Sequence, residues 1–273
     1  MTRDRRREHG GGLEMARSMA ARRVILVTGG AQGLGAAVCR QMAARGWTVA
    51  VADVNESGAQ EVAAACGDAA FAIGVDLALP DGPGRMVEQT VRRAGRLDVL
   101  VNGAAVAPAE AFLDMTAEAW QQALLVNVRA VALAIAAAAR AMAAHGGGRI
   151  INATSAAARM ALPTYAAYAA TKAAVDSLTR SAAVALAGHG VRVNSISPGM
   201  MDTPLQARTE RVCCALEGRS DLVTFKAERT ARIPLGRRSD PEEMAATVVW
   251  LAADAPDYMT AARLNVTGGL DKD

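Results

Sequence analysis

The sequence predicts a single α/β domain, built on a doubly wound, seven-stranded parallel sheet with helices on both faces. Short β-branched runs, apolar along their whole length, alternate with longer alanine-rich helical stretches. Strands of this kind are buried on both faces, which is typical of parallel sheets. Residues 23–273 contain no linker, charge block or repeat that would divide them, so one domain is expected there.

Each predicted element has its own start or stop signal. Gly46 closes the first helix, and Thr116 is expected to cap a long helix at residues 116–144. Asp240 and Pro241 are expected to begin the last helix. Another helix is predicted at 165–188. The predicted strands span residues 24–28, 48–53, 69–76, 97–102, 148–155, 191–199 and 262–269.

One stretch, residues 205–232, is polar, weakly periodic and irregular. It follows the sixth predicted strand. Ligands of such sheets bind at the carboxyl ends of the strands. A long connection at that edge is therefore predicted to be a lid over a substrate.

The basic character of the chain is confined to its beginning. Residues 1–23 hold seven arginines against three acids, a net charge of +4, so the remaining residues carry −1 of the total +3. This distribution excludes a domain-wide footprint for nucleic acid. Residues 1–22 have no apolar core typical of a secretory signal and are predicted to be a disordered basic extension, with Met15 and Met19 as alternative starts.

The four cysteines form neither a C-x-x-C pair nor a metal-ligand pattern with histidine. Reduced thiols, a cytoplasmic protein and no metal site are therefore expected. The most apolar stretch, "VRAVALAIAAAARAMAA", is interrupted by Arg129 and Arg140. It is predicted to be too short and too weakly hydrophobic to span a bilayer.

The first strand leads into the glycine-rich stretch "TGGAQGLG", residues 28–35. Gly29, Gly33 and Gly35 let the backbone turn sharply and approach a ligand closely. The following helix directs its free N–H groups and positive dipole end at this loop, which favours a pyrophosphate. A merely tight turn remains the alternative for the loop taken alone.

Asp53 ends the second strand, 24 residues after Gly29. A carboxylate there accepts hydrogen bonds from both ribose hydroxyls of adenosine and repels a 2′-phosphate. No Arg or Lys lies in the glycine loop or directly after Asp53. NAD is therefore predicted in preference to NADP. A helix-capping role for Asp53, and a turn role for Asp76 instead of an adenine contact, remain alternatives.

Tyr168 and Lys172 are four residues apart in a predicted helix, on one face and roughly 6 Å apart along the axis. A phenol has an ordinary pKa of about 10, and a nearby cation lowers it by favouring phenolate. Tyr168 is therefore the predicted proton acceptor in a hydride transfer. Tyr165 lies about two turns from Lys172 and is predicted to be a wall or packing residue.

Ser155 and Asn127 are the other polar candidates. Ser155 ends the fifth predicted strand, where a hydroxyl is placed to hold the substrate oxygen. Asn127 lies in the long helix among apolar residues, and a buried amide needs partners. It either carries a water chain from Lys172 to solvent or satisfies local backbone.

Together these residues resemble the classical short-chain dehydrogenase/reductase family. The glycine stretch matches its T-G-x-x-x-G-x-G loop, "YAATK" its Y-x-x-x-K, and "SPGMMDTP" its P-G-x-x-x-T-P segment. Ser155 precedes Tyr168 by the family's usual 13 residues, and "VNGAA" is similar to its N-N-A-G stretch only at Asn102 and Ala104. The resemblance covers residues 22–269.

The resemblance implies a Rossmann fold and a catalytic tetrad of Asn127, Ser155, Tyr168 and Lys172. In this tetrad Tyr168 is the general base in oxidation and the general acid in reduction. Substrate contacts would come from Ser155, Tyr165 and Tyr168. Family members are usually homotetramers joined through the long helices. The implied cofactor contacts are Gly29, Gln32, Gly33, Leu34, Gly35, Asp53, Asp76, Leu77, Asn102, Tyr168, Lys172, Pro198, Gly199 and Thr203.

The implied reaction is interconversion of a secondary alcohol and a ketone. "DAPDYMTAARLNVTGG" is similar to members that oxidise polyols, vicinal diols and sugars, although Ala261 and Ala262 stand where Gly and Gln are usual. A 3-oxoacyl-thioester or other ketone reductase, and an idle NAD-binding regulator, remain alternatives. The arginines of the lid are either solvated charges or contacts for an anionic substrate: Arg208, Arg211, Arg219 and Arg229.

Overall fold

Seven parallel strands form one sheet in the computed structural model, which describes residues 22–271. The strand order is β3-β2-β1-β4-β5-β6-β7. Strands are therefore added first on one side of β1 and then, from β4 onward, on the other side, which confirms the prediction of a doubly wound seven-stranded sheet. The predicted N-terminal extension lies outside the described residues, apart from Arg22. The strands are β1 (Val24–Thr28), β2 (Thr48–Asp53), β3 (Ala70–Gly74), β4 (Val99–Asn102), β5 (Gly148–Ala153), β6 (Val191–Pro198) and β7 (Arg263–Val266).

Helices cover both faces of this sheet. Thr116 accepts a hydrogen bond from the N–H of Ala119 at 3.3 Å, and Asp240 accepts one from Glu242 at 2.8 Å. Both predicted caps are therefore present. The helices are α1 (Gly33–Ala44), α2 (Glu56–Ala65), α3 (Gly82–Ala94), α4 (Ala117–Leu124), α5 (Ala130–Ala143), α6 (Ala166–Leu186), α7 (Pro204–Leu216), α8 (Leu222–Ala231) and α9 (Pro241–Ala253).

The sheet separates two apolar cores. Along β1, Ile25 and Val27 pack into the core beneath α1 and α9, whereas Leu26 packs into the core beneath α3, α5 and α6. Successive side chains of a strand point to opposite faces. Each strand must therefore be apolar throughout, which is the pattern seen in the sequence.

Helices α4 and α5 form one continuous helix, Ala117–Ala143, joined by a π-helical turn at Leu125–Arg129. By length and composition this helix is long and apolar enough to cross a membrane, with a mean hydropathy of 1.7. The expectation of too little length and hydrophobicity, made for residues 128–144 alone, does not hold for the helix as a whole. Half of its most apolar window is buried. Its apolar side chains, among them Ile135 and Met142, pack against the sheet, as in the core helices of many globular proteins.

Several predicted boundaries were wrong. β3 ends at Gly74, before Asp76, and β4 begins at Val99. β5 ends at Ala153 because Ser155 begins a 3₁₀ turn and accepts the N–H of Ala157. The expected irregular stretch 205–232 contains helices α7 and α8, capped by Thr203 and Asp221. Their polar surfaces weaken the apolar periodicity that would have predicted them.

Ala261 has a φ of +61°, the one positive φ outside glycine in residues 22–271. The resemblance described above implies Gly at this position, and Gly adopts this conformation without strain. The Ala261 N–H nevertheless bonds to the carbonyl of Val193 at 2.9 Å. This hydrogen bond ties the segment before β7 to β6.

Candidate active site

A cavity of about 530 Å³ opens at the carboxyl ends of the strands. Its walls come from the loops that follow β1, β2, β3, β4, β5 and β6 and from α6, α7 and α8. All but two of the predicted site residues line it. The lining members of that set are Gly29, Gln32, Gly33, Leu34, Gly35, Asp53, Asp76, Leu77, Ser155, Tyr165, Tyr168, Lys172, Pro198, Gly199 and Thr203.

The glycine loop lines part of the cavity, and there is no room for a side chain at Gly29 or Gly35. Gly29 and Gly33 have φ values of +71° and +53°, which favour glycine. A Cβ on Gly35 would lie 2.1 Å from the carbonyl oxygen of Gly29. Gln32 precedes α1 without a side-chain cap, so the first N–H groups of α1 have no capping side chain. This cradle fits a pyrophosphate.

Asp53 lies beside the loop at the end of β2. Its Oδ2 accepts the N–H of Ala31 at 3.0 Å, and its Oδ1 accepts the N–H of Asn55 at 2.9 Å. The carboxylate therefore positions the glycine loop as well as facing the cavity. Asp76 is placed similarly after β3, where it accepts the N–H of Ala78 at 2.8 Å.

Asn102 is not among the residues that line the cavity, so its implied cofactor contact stays a prediction. Its side-chain amide is buried and donates to Asn152 at 2.8 Å, and Asn152 donates to Thr179 at 2.9 Å. The cavity is instead lined here by Gly103 and Ala104. The reason is strand alternation, because a side chain facing α6 cannot also face the opening of the cavity.

Tyr168, Ser155 and Lys172 come together in the cavity wall. Ser155 is hydrogen-bonded to the Tyr168 hydroxyl. The Lys172 Nζ lies 5.6 Å from the centroid of the Tyr168 ring and donates to the carbonyl of Ala153 at 2.7 Å. Helix α6 supplies the tyrosine and the lysine, and the end of β5 supplies the serine. A proton acceptor, a hydroxyl and an ammonium group thus share one wall.

The pKa of Tyr168 differs from the expectation. Burial raises it above its usual value, and the hydrogen bond from Ser155 only partly opposes this. The predicted lowering by Lys172 is not seen. The pKa of Lys172 is itself lowered, to about 8, because burial disfavours its charge, although Asp176 one turn along opposes the change. Lys172 therefore titrates closer to the physiological range than an ordinary lysine, which is typical of functional sites.

The lowered pKa of Lys172 predicts a pH-dependent stability. The unfolded lysine has a pKa near 10.5 and the folded one near 8, so between these values the unfolded chain binds more protons. The free energy of unfolding should therefore rise with pH across this window, by up to about 3 kcal/mol. Denaturant unfolding of wild type and Lys172→Met from pH 7 to 10.5 measures this rise. A rise of the same size in the variant would assign it to other groups.

Asn127 lies in the π-helical turn and is fully buried. Its amide accepts the N–H of Val106 at 2.9 Å and donates to the carbonyl of Val106 at 2.8 Å and to Thr171 at 3.0 Å. Thr171 in turn donates to the carbonyl of Tyr168 at 2.8 Å. Of the two alternatives, these contacts favour local backbone support, and they connect the π turn to the helix that holds the tyrosine.

Tyr165 is a wall residue beside Tyr168, with ring centroids 6.3 Å apart. It is 7% exposed and packs in a cluster with Cys213, Cys214 and Phe225. Burial, above all, raises the pKa of its phenol. Tyr165 is therefore placed to shape the cavity and is a poor proton acceptor.

Sequence reasoning missed part of this architecture. Thr28, the threonine of "TGG", accepts the N–H groups of Gly103 and Ala104 at 3.1 and 3.2 Å and so ties the β4 loop to the β1 loop. A threonine at the end of a buried strand was the available signal. Within residues 22–271, no group of three or more His, Cys, Asp or Glu side chains is arranged to hold a metal ion.

Comparison with known proteins agrees with this geometry. A protein-family model described as enoyl-(acyl carrier protein) reductase matches residues 29–271. Cis-4-hydroxycyclohexanecarboxylate dehydrogenase of Sinomonas cyclohexanicum is 38% identical over 91% of this chain and 96% of its own length. The chain belongs to the short-chain dehydrogenase/reductase family.

Two further proteins place the chain within the short-chain dehydrogenase/reductases. L-rhamnose 1-dehydrogenase (NAD(P)(+)) of Azotobacter vinelandii is 37% identical over 91% of this chain and 96% of its own. The crystal structure of levodione reductase superposes with a TM-score of 0.85 at 28% identity, covering 92% of this chain and 98% of that one. The protein is accordingly an NAD(P)-dependent oxidoreductase that interconverts a secondary alcohol and a ketone.

Proposed function

We propose that the protein is an NAD-dependent dehydrogenase that oxidises a secondary hydroxyl of a polyol, diol or sugar-like compound. The observation that carries this proposal is the wall shared by Tyr168, Ser155 and Lys172. It supports proton transfer to and from the oxygen of a hydroxyl group bound in the cavity.

In the oxidation direction, the Tyr168 phenolate accepts the hydroxyl proton while Ser155 holds the same oxygen by a hydrogen bond. The Lys172 ammonium favours the phenolate electrostatically. When bound, the nicotinamide supplies the hydride acceptor for the carbinol carbon. In reduction, the Tyr168 hydroxyl returns the proton to the forming alkoxide. The glycine loop, Asp53 and Thr203 are the residues that would hold the cofactor.

The preference for NAD rests on the charges at the Asp53 end of the cavity. Asp53 and Asp76 are the charged side chains that line this end in the described part of the chain. The cations of the cavity wall, Lys172, Arg208 and Arg229, belong to α6, α7 and α8. A 2′-phosphate beside Asp53 would therefore meet a carboxylate and no lining cation.

Replacing Asp53 by Asn should reduce the preference for NAD over NADP by about 10- to 100-fold, because it removes one charge and one strong acceptor. The ratio of kcat/KM for the two cofactors measures the change. Asp76→Asn is the matched control, since it removes the same charge from the same end of the cavity. An equal effect of both variants would indicate general electrostatics instead of ribose recognition.

The substrate class is supported by the named activities of the relatives, which include a cyclic hydroxycarboxylate and a sugar. The rival is a reductase of 3-oxoacyl thioesters or other ketones, which the description of the matching family model favours. Initial rates of NAD reduction across polyols, diols, sugars and hydroxy acids test the proposal. Turnover of acyl thioesters with strong NADPH preference would contradict it, and NADH binding without any turnover would indicate an idle regulator.

A homotetramer and a cytoplasmic location complete the proposal. The helical surface away from the sheet is apolar at Leu124, Leu133 and Val184, which are 45, 41 and 80% exposed. Small alanines surround them on α5 and α6, which permits close packing of helices from other subunits. Light scattering of the purified protein tests the assembly.

Helices α7 and α8 are proposed as the substrate lid, because Leu205, Arg208 and Arg229 line the cavity.

A further inference from the structure

Arg229 of α8 is a cavity-lining cation whose charge is only partly used. Its Nε lies 3.4 Å from Glu210 Oε1 but forms no hydrogen bond. Within residues 22–271, its terminal nitrogens also have no hydrogen-bond partner. The side chain is nevertheless 17% exposed. The Nε is buried, so the terminal nitrogens are the donors that Arg229 offers to a ligand in the cavity.

Glu210 does not need Arg229 as its main partner. Glu210 is fully buried, and Arg238 donates to its two oxygens at 2.9 and 2.8 Å. The Arg238 Nε–H also donates to Thr230 at 2.9 Å, so all three guanidinium nitrogens of Arg238 donate hydrogen bonds. The bidentate pair already balances the buried carboxylate, and Arg229 adds a positive charge beside it.

The guanidinium of Arg229 lies over the ring of Phe225, which supports its orientation. The Arg229 Cζ lies 5.4 Å from the ring centroid of Phe225, and the Arg219 Cζ lies 5.3 Å from the same ring. Arg219 is paired with Glu228 and does not line the cavity. Two arginines therefore share one aromatic support, but only Arg229 presents its charge to the cavity.

Arg229 is also close to the reacting end. Arg229 lies over Phe225, and Phe225 packs in one cluster with Tyr165. Tyr165 in turn is the neighbour of Tyr168. At this end the described lining residues include Arg208 and Arg229 but no carboxylate. The potential here favours an anion.

We propose that Arg229 binds a carboxylate of the substrate, so that the physiological substrates are secondary alcohols carrying a carboxylate group. This inference rests on the proposed function and narrows its substrate class. A planar guanidinium with free donors matches a carboxylate in a two-point hydrogen bond. The relative named for cis-4-hydroxycyclohexanecarboxylate acts on such a compound. Of the alternatives left open by the sequence, the structure favours the anionic substrate for Arg229.

Matched acid and amide pairs test the proposal. The pairs are cis-4-hydroxycyclohexanecarboxylate, gluconate and 3-hydroxybutyrate, each with its neutral carboxamide. Wild type should oxidise at least one acid with kcat/KM at least about 30-fold above that of its amide. Arg229→Gln should remove this preference and leave amide turnover within about threefold of wild type. Arg229→Lys should keep part of the acid preference that Arg229→Gln loses, because the charge remains but the planar guanidinium is lost.

Arg219→Gln is the matched control and should keep the acid preference. Equal losses in Arg219→Gln and Arg229→Gln, or equal turnover of acids and amides by wild type, would overturn the inference. If no secondary alcohol is oxidised, the proposed function fails instead. In that case, calorimetry still tests the carboxylate site. It compares the binding of cyclohexanecarboxylate and of cyclohexanecarboxamide to the enzyme–NADH complex. Tighter binding of the acid that Arg229→Gln or Arg229→Lys weakens supports the carboxylate site, and equal binding rejects it.

Discussion

Replacing Tyr168 by Phe is expected to reduce turnover by about 10²- to 10⁴-fold and to leave NADH binding intact. The substitution removes one oxygen, the one that is hydrogen-bonded to Ser155, and keeps the ring that packs above Lys172. Steady-state kinetics and NADH fluorescence titration measure the two properties separately. The loss should appear in kcat and in kcat/KM, because the missing group acts in the transition state.

Tyr165→Phe is the matched control for this prediction. Both tyrosines line the same cavity, and their rings are neighbours. Only Tyr168 lies one turn from Lys172. Tyr165→Phe should therefore retain substantial activity, with its effect mainly on KM. A dead Tyr165→Phe beside an active Tyr168→Phe would reverse the assignment of the proton acceptor.

Replacing Lys172 by Met should have the next largest effect, a loss in kcat/KM of about 10²-fold or more at neutral pH. The pKa of Lys172 is about 8, so its positive charge is present at neutral pH and is lost as pH rises through that value. Without this charge, the pKa of Tyr168 should rise further, by about one to three units. The limb on which alcohol oxidation rises with pH should shift to higher pH accordingly.

The pH profile distinguishes two roles of this lysine. If Lys172 acts on Tyr168, activity of Lys172→Met should recover partly at high pH, where more of the phenol ionises. If it only binds the nicotinamide ribose, KM for NAD should rise while the pH limb stays in place. An unchanged limb would thus contradict the electrostatic role. Lys172→Arg keeps the charge and serves as the conservative comparison.

The sheet and most of the site were predictable because their signals are local. The strand boundaries at 24–28 and 48–53 agree with the structure, since a buried parallel strand is continuously apolar. The glycines at 29 and 33 have the positive φ values that a tight turn needs. The spacing of Tyr168 and Lys172 places both on one helix face. All of these follow from one residue and its near neighbours in the chain.

The features that were wrong or unseen depend on distant contacts. Asn102 does not line the cavity, and its amide is held by Asn152, 50 residues later. The pKa of Tyr168 is set by burial, which spacing alone does not give. Similarly, the pairing of Glu210 with Arg238 joins residues from α7 and from the segment after α8. No periodicity in the sequence marks which of the four arginines, Arg208, Arg211, Arg219 and Arg229, line the cavity.

The π-helical turn at Leu125–Arg129 has a consequence for how the long helix tolerates changes in chain length. An α-helix advances about 100° per residue, and a π turn holds one residue more than an α turn. Deleting a single residue there would restore α-helical hydrogen bonding but rotate one half of the helix against the other by about 100°. Either the stripe containing Ile135 would leave the sheet or Asn127 would leave Val106. One-residue deletions in this buried turn should therefore be selected against, whereas the exposed connection between α7 and α8 should accept them.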